Sequence, residues 1–351
     1  MTFAVQIVSL FAAGALAGLL AERLSRRFSG AKAAVPRRLC AALFLGALAA
    51  GYWYFLGRTG GVPLAGYAVR MAAAFVMLTV SLTDFDLLMI PDAVMIPATV
   101  LAVAAMSAFD AAFPVMWVTD EGLLTPTMPL AALPPWLMPG TGVMLAVSIA
   151  GWLFWCFALL DRRFYAKLGV RRAGYLFFRR LALSRLTWVL AGLALAGSAA
   201  AFMVACRWPF CLPRLFSSVV GAAAAMVLIW TVRLAGRALL GREAMGFGDV
   251  VLMGFIGAVV GWQGAVAVFF LAPFAGIVFA LGRAAFRTER EIPYGPFLCL
   301  AAAAVYFLWG PIWRATAELF CAPAVVLILA AVCLAALVVL LGIIRLIRAL
   351  F

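Results

Sequence analysis

Apolar runs of about 20 residues follow one another along almost the whole chain, and most of them end at a short cluster of arginines. A helix of that length spans the hydrocarbon core of a bilayer, where only helices and closed barrels satisfy their own backbone polar groups. The 351 residues are 68% hydrophobic and 11% charged, far from the balance of a soluble domain. The expected fold is therefore all-α: a polytopic integral membrane protein, read as one membrane domain.

Short loops rich in Lys and Arg stay in the cytoplasm, so the arginine clusters orient the runs. A first span from about Phe3 to Ala21 leads into Arg23, Arg26, Arg27, Lys32, Arg37 and Arg38. A second, about Leu39 to Leu56, and a third, about Tyr67 to Leu82, form a hairpin that delivers Asp84, Asp86 and Asp92 to that same basic side. The fourth, about Ala93 to Phe109, exits to an acidic, proline-rich loop from Asp110 to Gly140, and the fifth, about Thr141 to Leu160, returns to the most basic stretch, Arg162 to Arg185. Spans from about Leu186 to Cys206 and Leu215 to Leu234 precede Arg237 and Arg242, which place Gly246 to Asp249 on the basic side too. An eighth span starts at Val250 and breaks at Gly261-Trp262-Gln263-Gly264; a ninth runs to about Leu281, and two more, about Tyr294 to Gly310 and Leu319 to Leu341, complete the pattern. This reading gives about eleven transmembrane helices, N-terminus out and C-terminus in.

Composition also excludes several kinds of chemistry. The formal charge of +14 lies in the orienting loops, so no nucleic acid is expected as a partner; the partner is the lipid bilayer. Histidine is absent, which removes histidine-dependent acid/base and metal chemistry, and the two lysines, Lys32 and Lys167, lie in arginine-rich loops. The seven cysteines contain no Cys-x-x-Cys, so neither a zinc ribbon nor any other metal site is expected. Cys206 and Cys211 flank a short outer turn and read equally as a disulfide or as two free thiols.

Against this background the acids stand out. Ionisable groups near membrane depth are costly and are usually retained for function with a partner. Asp84-Phe85-Asp86-Leu87-Leu88-Met89-Ile90-Pro91-Asp92 ends one span, and Met245-Gly246-Phe247-Gly248-Asp249 opens another. Carboxylates on two helices at the same face can split their ionisation, one activating water and the other polarising a carbonyl. Asp84 is the first choice of partner for Asp249, then Asp86, then Asp92, which after Pro91 is expected to cap the fourth span. Gly246 and Gly248 are expected to take positive φ or to admit a close neighbour. The stripe Gly254, Gly257, Gly261 is expected to hold Asp249 against the helix that carries Asp84.

Three blocks carry a family resemblance: Thr83 to Asp92; Met245 to Met253, continuing through Gly257 to Trp262; and Glu291-Ile292-Pro293-Tyr294-Gly295-Pro296-Phe297-Leu298. In these blocks the chain resembles the type IV prepilin peptidases, GxGD-type membrane aspartyl proteases. The resemblance implies Asp84 and Asp249 as catalytic residues. Gly246, Gly248, Asp86, Asp92, Pro91, Tyr294, Gly295 and Pro296 are expected in supporting or substrate-binding positions. It also implies prepilin or pseudopilin substrates with a basic leader, cut at the cytoplasmic face of the inner membrane, and association with pilus or type II secretion machinery. Leader recognition is assigned to Asp86, Asp92, Glu289 or Glu291. No cofactor is expected.

Departures from the family pattern set limits. The first basic loop holds no paired cysteines, which leaves N-methylation by S-adenosylmethionine outside the expectation; Val251 stands where a lysine is frequent; and the segment between the aspartate motifs is enlarged. The organisation expected is a membrane hairpin with a basic loop over 1–66, a peptidase core over 67–300 and C-terminal helices over 301–351. Two other readings suit buried acids: an ion-coupled transporter or assembly scaffold, and a GxGD protease acting on other membrane peptides.

Overall fold

The structure, a computed structural model, describes residues 3–30, 35–58, 64–109, 115–117, 124–126, 140–160, 184–240, 245–285, 293–321 and 328. Among these, the chain is helical apart from one small ladder. The helices are α1 (Phe3–Ser29), α2 (Val35–Arg58), α3 (Leu64–Leu87), α4 (Asp92–Ala108), α5 (Thr141–Ala158), α6 (Arg185–Arg207), α7 (Leu212–Leu240), α8 (Phe247–Ala285), α9 (Gly295–Phe307) and α10 (Trp309–Cys321). Between α4 and α5, β1 (Val115–Trp117) pairs antiparallel with β2 (Leu124–Pro126), with Met116 opposite Thr125.

Among the described residues, six helical segments are long and apolar enough to cross a membrane: Ala4–Ser29, Leu64–Leu87, Thr141–Ala158, Arg185–Arg207, Pro209–Arg237 and Phe247–Phe279. Asp92–Ala108 and Gly295–Phe307 are shorter apolar helices. The expected last span, about Leu319 to Leu341, lies largely outside the described residues, as does the basic stretch from Arg162 to Arg180.

The first half of α8 is the axis of the bundle. Val250, Val251, Leu252 and Met253 are all fully buried, and Phe255, Ile256, Ala258, Val259 and Val260 nearly so. A helix apolar on every face belongs in such a position, surrounded by other helices. A straight 39-residue helix would be ~58 Å long, about twice the bilayer core. The chain solves this at Gly261, whose φ of 75° and ψ of 175° lie outside the helical region. Ser218 Oγ of α7 donates to Ala258 O at 2.8 Å, satisfying a carbonyl in the last turn before the break. The second half then runs antiparallel to α9: Gly276 faces the Phe297 ring near the start of α9, and Gly264 lies against Val305 near its end. Both ends of α8 consequently reach the same end of the bundle, and the break falls where Gly261-Trp262-Gln263-Gly264 forecast it.

The small-residue stripe has a different partner from the one expected. Added Cβ atoms on Gly257 and Gly254 would run into Gly221 and Met226 of α7, and one on Gly221 would meet Gly257 O and Gly261 Cα. The stripe seats α7 on α8. Periodicity identifies the face that packs closely but not the helix that fills it.

Several polar groups inside the bundle bond to their own helix or to a neighbouring one. Along α3, Thr79, Ser81 and Thr83 donate to the carbonyls of Phe75, Met77 and Thr79, each at 2.8 Å. Arg70, also on α3 and only 2% exposed, lies over the Tyr52 and Tyr306 rings at 5.4 and 5.1 Å and donates to the Tyr52 hydroxyl. Cys206 and Cys211 are both free thiols, and Arg214 Nη2 donates to Cys211 Sγ at 3.2 Å.

Candidate active site

Asp84 sits in the last turn of α3 and is 5% exposed. Asp249 sits in the first turn of α8 and is half-buried. The two carboxylates lie within electrostatic reach of each other, although 165 positions (249 − 84) separate them in sequence. Each is held by a backbone amide. Gly295 N–H donates to Asp84 Oδ2 at 3.1 Å, and Gly246 N–H donates to the Asp249 carboxylate.

The Gly295 bond has a local cause. Gly295 is the first residue of α9, so its N–H is one of the four amides that no helix satisfies internally. Tyr294 precedes it and provides no side-chain cap, while Pro296 lacks an N–H and removes one of the four demands. Asp84 provides the acceptor from another helix, at the positive end of the α9 dipole. No side chain fits at Gly295: a Cβ there would sit 2.5 Å from Asp84 Oδ2 and 3.4 Å from Ile90 Cδ1.

Ile90, 6% exposed, is a site residue that the sequence reading missed. It fills the space between the two glycine motifs, since a Cβ on Gly248 would lie 3.0 Å from Ile90 Cβ. Gly246 has more room, its nearest prospective neighbour being Asp249 Oδ2 at 3.6 Å. Neither glycine takes positive φ; among the described residues only Gly30, Gly261 and Leu88 do. The requirement at Gly248 is close approach rather than backbone conformation.

Other predicted site residues occupy distinct positions. Tyr294 is half-buried within electrostatic reach of Asp249, where its phenol can serve as a hydrogen-bond donor. Cys299, one turn into α9, hydrogen-bonds to Ser81 of α3 and lies within reach of both carboxylates. Asp92 is exposed and is the first residue of α4 rather than its cap: Pro91 occupies that position, with no side-chain cap bond. Proline's extended φ of −77° suits the entry, and Asp92 contributes through the helix dipole instead. Asp86 lies in an exposed turn, but its side chain is only 19% exposed and pairs with Arg37 Nη1 at 2.6 Å. Glu289 and Glu291 lie outside the described residues. Among the described residues, no group of three or more Cys, Asp or Glu could hold a metal ion.

The turn after Asp84 is strained. Leu88 has φ of 52°, and its N–H closes the end of α3 on Asp84 O at 2.9 Å. This is the left-handed closure that glycine usually provides, and it costs an L-residue roughly 1–2 kcal/mol. Leu88 is 50% exposed, so little packing offsets that cost. Leu88→Gly is expected to raise stability by about 0.5 kcal/mol, strain relief less the added chain entropy of glycine, read as a higher unfolding midpoint in detergent. A clear loss of stability would show that the leucine side chain has a packing role.

Comparison with known proteins bears on part of this site. The type IV leader peptidase family matches residues 185–281. A prepilin leader peptidase/N-methyltransferase of Aeromonas salmonicida (strain A449) is 35% identical over 96 residues, 26% of this chain and 33% of that protein. Proteins of the same description from Burkholderia pseudomallei (strain 1026b) and Dichelobacter nodosus are 33% and 37% identical over 100 residues, 28% of this chain and 32% and 33% of theirs. The matched stretch thus spans about a third of the length of these curated relatives. No solved structure matches. Asp84, Ile90 and Gly295 lie outside the matched family segment, and geometry alone brings them to Asp249. Residues 185–281, with the Gly246-Phe247-Gly248-Asp249 element inside them, match the type IV leader peptidase family.

Proposed function

We propose that the chain is a membrane-embedded aspartyl endopeptidase that removes the leader from type IV prepilins or pseudopilins, with Asp84 and Asp249 as its catalytic pair. The observation that carries the reading is the convergence of these two carboxylates from different helices, each on a backbone amide, with one inside a leader-peptidase family segment. Hydrolysis by a carboxylate pair needs one ionised and one protonated carboxyl, and like charges brought together favour that division. The ionised group takes a proton from water as its oxygen attacks the scissile carbonyl. The protonated group donates to the carbonyl oxygen; on collapse of the tetrahedral intermediate the first group passes the proton it took from water to the leaving nitrogen, and the second takes its own proton back. Tyr294, a phenol donor within electrostatic reach of Asp249, orients the groups of this step. The proposal covers cleavage alone.

The ends of α1, α3 and α7 and the starts of α2, α4, α8 and α9 share the end of the bundle where the aspartates lie. Arg37 and Arg233 mark it, the first paired with Asp86 and the second lying 5.5 Å over the Phe247 ring. Arginines at one end support a cytoplasmic orientation of the site in the inner membrane. In this reading about eleven helices cross the bilayer, N-terminus out.

The test is cleavage of a co-expressed prepilin by the wild-type chain, read as a mobility shift with the new N-terminus sequenced. A cut after the leader glycine is the expected result. Normal insertion with no cleavage of any prepilin, together with proton- or ion-coupled flux in vesicles, would replace the peptidase with the transporter reading.

A further inference from the structure

The N-terminal hairpin lies outside the family-matched segment, yet one of its side chains reaches the helix end that carries Asp84. Arg37, in the first turn of α2, donates through Nη1 to Asp86 Oδ1 at 2.6 Å. Its Nη2 donates to Leu82 O at 3.1 Å and to Ser25 Oγ of α1 at 2.9 Å. Leu82 and Asp86 stand two residues before and two residues after Asp84, so one planar guanidinium grips both flanks of the turn that presents the carboxylate. Ser25 is fully buried, which anchors the other side of the contact to α1.

We propose that Arg37 is a positioning residue for Asp84, a claim that rests on the peptidase reading above. Three observations separate it from an ordinary surface ion pair. First, the Arg37 and Asp86 side chains are only 20% and 19% exposed, and the guanidinium serves three acceptors on two other helices. A single exposed pair would contribute little. Second, the side chain of Arg38, the next residue, is 41% exposed and among the described residues pairs with Glu22 Oε2 alone, at 3.6 Å, so the same turn offers a cation of equal charge without the grip. Third, the turn needs external support: α3 ends in the left-handed Leu88, and Asp84 must meet both the Gly295 amide and Asp249. Among the described residues the acceptors of Arg37 are Asp86, Leu82 and Ser25 rather than the Asp84 carboxyl group, so it acts through the turn of α3 that carries Asp84. The ion pair also commits Asp86 to the hairpin rather than to the substrate.

The experiment uses the full chain in proteoliposomes with a purified prepilin. Arg37→Ala is expected to lower kcat about 10- to 100-fold with KM unchanged, the cost of a sub-ångström to ångström misplacement. Added guanidinium should restore part of that loss in Arg37→Ala but none in Asp249→Asn. Arg37→Lys should fall between wild type and Arg37→Ala, and Arg38→Ala should keep the wild-type kcat. If Arg37→Ala fails to insert, Arg37→Lys and Asp86→Asn take its place.

An activity-independent readout comes from the Ser81–Cys299 contact between α3 and α9. Ser81→Cys should form a disulfide with Cys299 under a membrane-permeant oxidant, and adding Arg37→Ala should lower its yield. A wild-type kcat with an unchanged disulfide yield overturns the proposal, as does a loss confined to KM, which would make Arg37 a substrate contact. If the wild type cuts no prepilin yet Arg37→Ala still lowers the yield, positioning stands and the peptidase reading is what has failed.

Discussion

Replacing either Asp84 or Asp249 with asparagine is expected to lower prepilin cleavage by about 10³-fold or more while leaving the protein folded and inserted. Asparagine keeps the shape and an oxygen acceptor. In Asp84→Asn the side-chain oxygen would still accept from Gly295 N–H, and in Asp249→Asn from Gly246 N–H, so the contacts that close α9 onto α3 and shape the start of α8 survive. What disappears is the exchangeable proton, which an amide can neither take from water nor deliver to a carbonyl oxygen. The two losses should not multiply, because residues that act as one unit fail together; the double variant should be no slower than the worse single. Asp84→Glu should fail for a different reason, since its extra methylene has to fit where Gly295 already leaves no room. Asp110→Asn, in the loop read as facing outward, should cleave like wild type. Steady-state cleavage with quantified membrane insertion checks all of these, and substantial turnover by either single asparagine variant would remove that carboxylate from the chemistry.

The pair was readable in the sequence because acids are scarce in this chain, and a scarce charge beside an apolar run is visible without a structure. The break at Gly261 was readable for a similar reason, two glycines bracketing Trp262-Gln263 inside an apolar run too long to remain straight. The partners of these features were not readable. Gly254, Gly257 and Gly261 announce a close contact, but nothing in a 3.6-residue period distinguishes α3 from α7 as the neighbour. Arg37 resembles every other arginine of a basic loop, and its tie to Asp86 spans 49 positions. The cap on α9 comes from 211 positions away, where no local capping rule would look. Ile90 reads as one more apolar residue until Gly248 and Gly295 are seen on either side of it. The ladder of β1 and β2 has three residues per strand, below the length at which alternation carries a signal.

Alanine at Gly295, Gly248 and Gly246 is expected to impair cleavage in that order, with Gly295→Ala losing about 10²-fold in kcat. The ranking follows from the space each glycine leaves. At Gly295 the new methyl would stand 2.5 Å from Asp84 Oδ2 and 3.2 Å from its Cγ, so either the carboxylate turns away and gives up the amide bond, or α9 moves outward. Moving α9 also disturbs the Phe297 ring on Phe279 and the Ser81–Cys299 contact, so stability should fall by about 1–3 kcal/mol as well. At Gly248 the obstacle is Ile90 Cβ at 3.0 Å, a branched side chain wedged at the start of α4, which yields by a few tenths of an ångström and carries Asp249 with it by about as much. At Gly246 the nearest atom is 3.6 Å away, an ordinary contact, and the N–H that meets Asp249 is unchanged by a methyl group. If these glycines mattered chiefly for backbone freedom, the order would not follow the contacts, and Gly246→Ala would be as damaging as Gly295→Ala. The absence of positive φ at Gly246 and Gly248 argues for the steric account, and kcat measured for the three single variants separates the two.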